Sequence, residues 1–231
     1  DCFASLKYQV FKQKTISLKK LLPILRHNFK GEEKIRNMFI YSTPKYGNDD
    51  DRADVHAQQV FDAFYEAVEG RPTSKGGQFR INLLPTTCHV YFGSVIGATA
   101  DGRKSGLPVS EGISPVQGAD RNGPTAVLKS AAKIDHIRTG GTLLNQKFTP
   151  QLLADDKGLD NMVHLIRAYF KMNGHHIQFN VVTAETLRQA QKNPEQYRNL
   201  IVRVAGYSDY FINLEPVLQK EIIKRTEQKV F

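Results

Sequence analysis

Apolar residues recur at helical spacing along the first seventy residues of the chain. Residues 1–40 predict two or three short helices, with Ser17 as the N-cap of one of them and Gly31 as its stop. Pro23 lies six positions after that cap, where it removes a helical hydrogen bond, so we expect a bend there. A longer amphipathic helix is predicted over residues 51–70, because one apolar stripe runs along it to a closing glycine. This part of the chain is therefore predicted to be mostly helical.

The pattern changes twice in the remainder of the chain. Residues 79–97 predict extended structure, and residues 98–124 are rich in turn-forming residues without periodicity, which predicts a long loop. Helical and extended patterns then alternate, as helix 125–134, strand 142–148, helix 159–172, strand 175–182, helix 183–192 with Thr183 as its cap, and strand 200–206. Apolar strands separated by short helices indicate buried strands that are covered on both faces. The sequence therefore predicts an α/β fold.

The charge of the chain is basic and unevenly distributed. Lys and Arg number 32 against 23 Asp and Glu, a net charge of +9. Much of the excess lies in the first 36 residues, where basic residues alternate with apolar ones at helical spacing. This alternation is typical of the solvated face of an amphipathic helix, so we predict no nucleic-acid binding.

Cysteine content and hydropathy indicate the cellular compartment in which the protein works. The two cysteines, Cys2 and Cys88, are too few for a disulfide framework, which favours a reducing compartment. The sequence has no apolar run of roughly 18 residues and no signal-peptide pattern at its start. We therefore predict a cytoplasmic protein that does not enter a membrane.

Familiar cofactor motifs are absent from the sequence. It contains neither the glycine-rich phosphate loops nor the GxSxG nucleophile elbow. The adjacent pairs Cys88-His89 and His175-His176 are poor metal ligands, because neighbours in a strand point to opposite faces. We therefore predict no metal site and no Rossmann or P-loop nucleotide site, and we expect Cys88 to be a buried structural cysteine.

One segment stands apart, RVAGYSDYF at residues 203–211, in which Gly206 ends an apolar run among small and aromatic residues. Gly206 lies 25 residues before Phe231. This segment resembles the carboxy-terminal signature of the pyruvate formate-lyase-like family, the glycyl radical enzymes. The resemblance identifies Gly206 as the radical glycine.

The resemblance extends over essentially the whole chain. The segments KYGNDDDRAD, GATADGRKSGLPVSEGISPVQGADRNGPTAVLKS, TGGTLLNQKF and GHHIQFNVV are similar to family segments and follow in the family's order. The segments NLLPTTCHVYFG, TGGTLLNQKF and GHHIQFNVV look most like the glycerol or propanediol dehydratase and choline trimethylamine-lyase branch. The resemblance therefore favours a dehydratase-type lyase.

The resemblance implies a fold and a site. The expected fold is the C-terminal part of a ten-stranded α/β barrel, with the radical glycine on an inserted loop. Residues 1–97 would belong to the barrel domain and residues 98–231 to the glycyl radical domain. Arg203 and Tyr207 are expected to support the radical loop, Arg203 through a fork of hydrogen bonds.

The resemblance also implies partners and chemistry. A radical-S-adenosylmethionine activating enzyme, which holds the iron–sulfur cluster, would remove a hydrogen atom from Gly206. A glycyl radical then generates a thiyl radical that attacks the substrate, so the only cofactor is protein-derived. The expected reaction is B12-independent dehydration of glycerol or a 1,2-diol. Choline trimethylamine-lyase and formate acetyltransferase-type chemistry are alternatives, and a homodimer is expected for the intact enzyme.

The sequence departs from the family in one respect. The thiyl cysteine of the dehydratase-like enzymes lies in a C-x-E motif, whereas Cys2 and Cys88 are followed two residues later by Ala4 and Val90. We therefore expect an upstream portion or a second chain to supply that motif, and this chain alone to be inactive. The rival interpretation is an autonomous glycyl radical spare part that restores a damaged lyase.

Overall fold

The computed structural model of the chain describes residues 1–84 and 87–231. Its α-helices are α1 Cys2–Ser5, which continues as a π-helical segment over Leu6–Lys12, α2 Leu18–Arg26, α3 Glu33–Tyr41, α4 Asp51–Val68, α5 Cys88–Val95, α6 Gly123–Ala132, α7 Asp156–Lys171, α8 Ala184–Lys192 and α9 Pro216–Lys224. Its strands are β1 Leu144–Phe148, β2 Ile177–Val181, β3 Ile201–Arg203, β4 Ser208–Tyr210 and β5 Glu227–Gln228. Short 3-10 helices lie at Pro150–Leu153, Pro194–Tyr197 and Phe211–Asn213.

The amino-terminal helices follow the predicted pattern. The Ser17 side chain caps α2 by accepting a hydrogen bond from the Lys20 amide, which confirms the predicted N-cap. α2 continues through Pro23 and ends before Gly31, and the bend at the proline stays a prediction. The helix predicted over residues 51–70 is confirmed as α4.

The prediction of extended structure over 79–97 is wrong for its second half, where α5 forms; residues 85 and 86 of that segment lie outside the described residues. Sequence propensity fails here because aromatic and β-branched residues favour strands. Tertiary packing decides instead, because His89 and Gly93 lie one helical turn apart and are both buried. A Cβ atom at Gly93 would lie 2.2 Å from the Leu107 carbonyl oxygen, so only glycine permits this approach.

The predicted α/β units are confirmed. β1 pairs in parallel with β2 over its whole length, from Leu144 opposite Ile177 to Phe148 opposite Val181, and α7 lies between them in sequence. β5 pairs in parallel with the other edge of β1, which gives the strand order β2-β1-β5. Every residue of β1 is buried, as expected for a central strand covered on both faces. The long loop predicted over 98–124 is irregular up to the start of α6.

The two predicted regions share a core. Phe61 of α4 packs in the same buried cluster as Val127 of α6 and Leu144 of β1. Around this cluster, the Lys133 ammonium contacts three carboxylates that lie at the start of α4, those of Asp49, Asp51 and Asp54. The division at residues 97 and 98 stays a prediction, and contacts across it are extensive.

A second core underlies the carboxy-terminal region. Val202, Val204 and Phe211 pack with Leu187 of α8 and Ile222 of α9. α9 therefore lies directly against the segment that contains Gly206. Across 1–84 and 87–231, no helix has the length and apolar character needed to cross a membrane.

Candidate functional site

Gly206 lies at the tip of a β-hairpin. β3 and β4 pair antiparallel, with Ile201 opposite Tyr210 and Arg203 opposite Ser208. The Val204 amide donates a hydrogen bond of 2.8 Å to the Tyr207 carbonyl oxygen, which closes the turn. Gly206 has a φ of +85°, a left-handed conformation that strongly favours glycine. The strand predicted over 200–206 is thus shorter than expected, because its last residues form the turn.

The hairpin is buried at its base and exposed at its tip. Val204 and Ala205 are buried, whereas Gly206 and the two residues after it are exposed on the surface of the chain. Tyr207 is 43% exposed as a residue, and it contributes to the turn through its backbone carbonyl. Phe211, just beyond β4, is fully buried and fixes the end of the hairpin in the second core. A rigid base therefore presents a projecting glycine.

Arg203 joins the hairpin to the parallel sheet. Its Nε and Nη2 atoms both donate to Gln178 Oε1 on β2, the Nε bond measuring 2.8 Å. Its Nη1 atom donates to Ser208 Oγ on β4 at 3.0 Å. Gln178 in turn donates to Asn145 on β1, and Asn145 donates to Glu111 Oε1 at 2.7 Å. The guanidinium thus connects both hairpin strands to a buried polar chain.

Two residues that the sequence analysis did not identify contact the backbone of the same strand. The buried Asn180 side chain accepts from the Arg203 amide at 2.8 Å and donates to the Arg203 carbonyl oxygen at 2.9 Å. Arg225, just after α9, donates from Nη2 to the Val204 carbonyl oxygen at 2.7 Å. The alternation of polar Gln178 and Asn180 with apolar residues along β2 was the available signal, since it indicates one polar face.

Glu221 holds Arg225 in place. Arg225 Nη2 lies 2.8 Å from Glu221 Oε2 one helical turn earlier, and both side chains are buried. Gln117 of the long loop donates to the other carboxylate oxygen at 2.8 Å. Burial acts to raise the pKa of Glu221, but the His89 ring, whose Nε2 lies 3.7 Å from Glu221 Oε1, and the charge of Arg225 outweigh burial and lower the pKa to about 2. Glu221 is therefore an ionised partner of Arg225.

The long loop also binds the carboxy-terminal segment through Asp120. The Asp120 carboxylate accepts hydrogen bonds from the Thr226 hydroxyl and, at 3.0 Å, from Gln228 Nε2. The Gly118 amide donates to the Thr226 hydroxyl at 3.1 Å. Burial raises the pKa of Asp120 to about 6. The loop thus fixes the segment that carries Arg225.

Asp120→Asn is expected to stabilise the natural protein at pH 7.5 by about 1–3 kcal/mol, because asparagine resembles the protonated acid that burial favours. The folded-state pKa of about 6 exceeds the ordinary value of 3.8, so wild-type stability falls as the pH rises from about 4 to above 6. The variant should lose this slope. Thermal unfolding midpoints of the wild type and the variant between pH 4 and 8 measure this pH dependence of stability.

Asp160→Asn is the matched control, because Asp160 is exposed on α7. Its effect should stay within about 0.5 kcal/mol at every pH. If Asp120→Asn destabilised the protein at pH 7.5, or left the pH dependence of its stability unchanged, the raised pKa of Asp120 would be contradicted.

The predicted burial of Cys88 is wrong. Cys88 is exposed at the first turn of α5, whereas His89 and Gly93 occupy the buried face of that helix. Cys2 is half-buried, and burial together with the nearby Asp101 raises the pKa of its thiol. Within the part of the chain that the structure describes, no three His, Cys, Asp or Glu side chains come together as a metal site.

Two family models match the chain. The model described as pyruvate formate lyase-like matches residues 1–93, and the model described as glycine radical matches residues 109–212, which include Gly206. The boundary predicted at residues 97 and 98 lies in the interval between the two matches.

Curated and solved relatives agree with these matches. Trans-4-hydroxy-L-proline dehydratase of Clostridioides difficile is 58% identical over 99% of this chain and 29% of its own length. A crystal structure of hydroxyproline dehydratase from the same organism, with trans-4-hydroxy-L-proline bound, has a TM-score of 0.96, with 58% identity over 99% of this chain and 29% of that chain. The glycerol-bound B12-independent glycerol dehydratase of Clostridium butyricum has a TM-score of 0.95 and 44% identity, also over 99% of this chain and 29% of that chain.

The chain thus spans about 29% of the length of these relatives. Their structures confirm the α/β fold predicted from the resemblance, that of part of the glycyl radical enzyme barrel. The chain belongs to the glycyl radical enzymes and carries a glycine radical domain together with a pyruvate formate-lyase-like region.

Proposed function

We infer that Gly206 carries the radical and that this chain is the radical-bearing portion of a glycyl radical dehydratase. The observation that carries the inference is a positive-φ glycine at the exposed tip of a hairpin whose base is fixed, inside the matched glycine radical region.

The chemistry requires glycine at this position. A radical at the α-carbon is delocalised between the amide nitrogen and the carbonyl group, which requires a planar centre that a side chain would crowd. Arg203 and Tyr207 support the loop in this proposal, Arg203 by joining both strands to β2 and Tyr207 by closing the turn. A separate activating enzyme would use S-adenosylmethionine and its iron–sulfur cluster to remove the hydrogen atom.

The exposed tip fits a role that needs a partner surface. Gly206 passes the radical to a cysteine, and neither Cys2 nor Cys88 is followed by a glutamate two residues later. A portion of the enzyme that carries the C-x-E motif would therefore cover the tip. The thiyl radical of that motif takes a hydrogen atom from the substrate. The glutamate of the motif takes a proton from the substrate and passes it to the hydroxyl group, which leaves as water, and the hydrogen atom then returns from the thiol to the product.

The order of similarity supports the choice of substrate to test. Identity is 58% to the hydroxyproline dehydratase and 44% to the glycerol dehydratase, so trans-4-hydroxy-L-proline is the first substrate to test. The TM-score of 0.95 to the glycerol dehydratase keeps glycerol and 1,2-diols as the second candidates. Similarity to full-length dehydratases over 99% of the chain favours a lyase portion over an autonomous spare part.

Anaerobic incubation of the natural protein with its activating enzyme and S-adenosylmethionine tests the proposal. We expect a doublet in the electron paramagnetic resonance spectrum, backbone cleavage at Gly206 after exposure to air, and loss of water from hydroxyproline. Turnover of glycerol or 1,2-propanediol instead would reassign the substrate. The absence of a doublet from folded protein after incubation with the activating enzyme would contradict the assignment of the radical to Gly206.

Arg203→Lys is expected to lower the radical yield several-fold, because lysine cannot make the fork to Gln178 and the bond to Ser208 together. Spin counting after activation measures it. Arg198→Lys is the matched control, since Arg198 pairs with Glu195 on the surface. Equal spin counts in the two variants would contradict the proposed role of Arg203 in supporting the radical loop.

A further inference from the structure

We propose that Asn180 and Arg225 form a two-point clamp on the strand that leads to Gly206, and that they act as positioning residues for hydrogen transfer at the radical glycine. The hydrogen-transfer role rests on the proposed function of Gly206, whereas the clamp itself rests on contacts within this chain.

Asn180 provides the first point. β2 and β3 belong to different sheets, so no backbone ladder joins them. The Asn180 side chain replaces that ladder, since its amide accepts from the Arg203 amide and donates to the Arg203 carbonyl oxygen. This pair of bonds reproduces what a neighbouring strand would supply, and it fixes the strand three residues before Gly206. Asn180 is only 5% exposed, so water does not compete readily for these bonds.

Arg225 provides the second point, closer to the glycine. Its Nη2 atom binds the Val204 carbonyl oxygen at 2.7 Å, two residues before Gly206, while its Nη1 atom lies 3.4 Å from the Arg203 carbonyl oxygen. The same guanidinium pairs with Glu221, and this ion pair fixes the position of the Arg225 side chain independently of its contact with the hairpin. Charge-assisted hydrogen bonds of this kind are stronger than neutral ones.

The two contacts hold successive residues of the hairpin strand, and they come from two different secondary-structure elements. Asn180 reaches Arg203 from the parallel sheet, and Arg225 reaches Val204 from the end of α9. Ala205 is still buried and the chain becomes exposed at Gly206, so the location of the Gly206 Cα depends on how firmly the residues before it, Arg203 and Val204 among them, are held. Reaction rates fall by about a hundredfold when reacting atoms are misplaced by about 1 Å. The clamp therefore controls transfer without contacting the reacting atoms.

Asn180→Leu is the primary test, because it removes both bonds to Arg203 without leaving a buried charge. Gln146→Leu is the matched control. Gln146 is a buried amide on the neighbouring strand β1, also 5% exposed, and it donates to the Pro124 carbonyl oxygen instead of the hairpin. Both variants lose a buried amide from the same sheet, and only one touches the strand that carries the glycine.

Arg225→Met tests the second point, with Arg225→Lys as the conservative variant. Lys147→Met is its control, because the Lys147 ammonium is buried and donates to the Ile223 carbonyl oxygen of α9 at 2.9 Å. Loss of Lys147 perturbs the same helix end without releasing the hairpin. Any effect that Arg225→Met shares with Lys147→Met is structural.

Two measurements on the natural protein read the result. Hydrogen exchange of the 201–208 amides reports how firmly the hairpin is held and needs no radical. Turnover per electron spin reports hydrogen-atom transfer after activation. We expect Asn180→Leu and Arg225→Met to raise hairpin exchange at least tenfold and to lower turnover per spin by about ten- to a hundredfold. Arg225→Lys should restore part of both, and the two controls should resemble wild type.

Wild-type values for both measurements in Asn180→Leu, or the same changes in Gln146→Leu, would overturn the clamp. Faster hairpin exchange with unchanged turnover per spin would overturn its role in transfer. Failure of the proposed function gives a different result: wild type would show no Gly206-dependent doublet, while Asn180→Leu would still loosen the hairpin selectively. That outcome rejects the transfer role and supports the clamp as a feature of the hairpin.

Discussion

Replacement of Gly206 by alanine is expected to abolish the radical doublet, the oxygen-dependent backbone cleavage and all turnover. A methyl group at the α-carbon would crowd the planar centre of the proposed radical, and it also strains the left-handed backbone at φ +85°. The strain destabilises the fold by only about 1 kcal/mol, so the variant should remain folded. The measurements are electron paramagnetic resonance and mass spectrometry after anaerobic activation and air exposure.

Gly118→Ala is a control for the backbone strain alone. Gly118 has a φ of +80°, and no atom lies within 4 Å of where its Cβ would be. It should therefore lose a similar amount of stability while it keeps the doublet. A doublet in Gly206→Ala protein would move the radical to another residue.

Glu221→Leu is expected to destabilise the protein by about 3–5 kcal/mol. The substitution leaves the Arg225 guanidinium buried without its carboxylate, which is the costly way to break a buried ion pair. Because α9 packs against the hairpin core, hydrogen exchange should rise in both segments. Thermal unfolding and hydrogen exchange at pH 7 measure the loss.

The pH dependence gives a second signature for Glu221. Its folded-state pKa of about 2 lies below the ordinary 4.5, so its contribution is present above pH 4.5 and is lost as the pH falls towards 2. The leucine variant should lack this loss. Glu185→Leu is the control, because Glu185 is exposed beside Arg188 and its removal should cost less than about 0.5 kcal/mol. Equal stability of the two variants would refute the buried-pair argument.

The sequence was sufficient where local chemistry decides the structure. The caps at Ser17 and Thr183 accept the hydrogen bonds that their positions predict, and β1 and β2 form where apolar runs predict them. Gly206 could be singled out because its segment resembles a radical signature, and its positive φ is a local property.

The sequence was insufficient where distant contacts decide. α5 was missed because its aromatic and β-branched residues favour strands, and its helical form depends on the approach of Gly93 to Leu107. Asn180 and Arg225 were missed because they act on residues more than twenty positions away in sequence. The Glu221–Arg225 spacing is visible as a helical pair, yet its target in the hairpin appears only in three dimensions.

The core that crosses residues 97 and 98 has a consequence for recombining this chain with its relatives. A chimera joined at that boundary would place Lys133 of one parent opposite the carboxylates of Asp49, Asp51 and Asp54 from the other. It would also pack Phe61 against a foreign α6. Residues 98–231 thus depend on residues 1–97 for part of their packing, and a chimera keeps this contact intact when both of its sides come from the same parent.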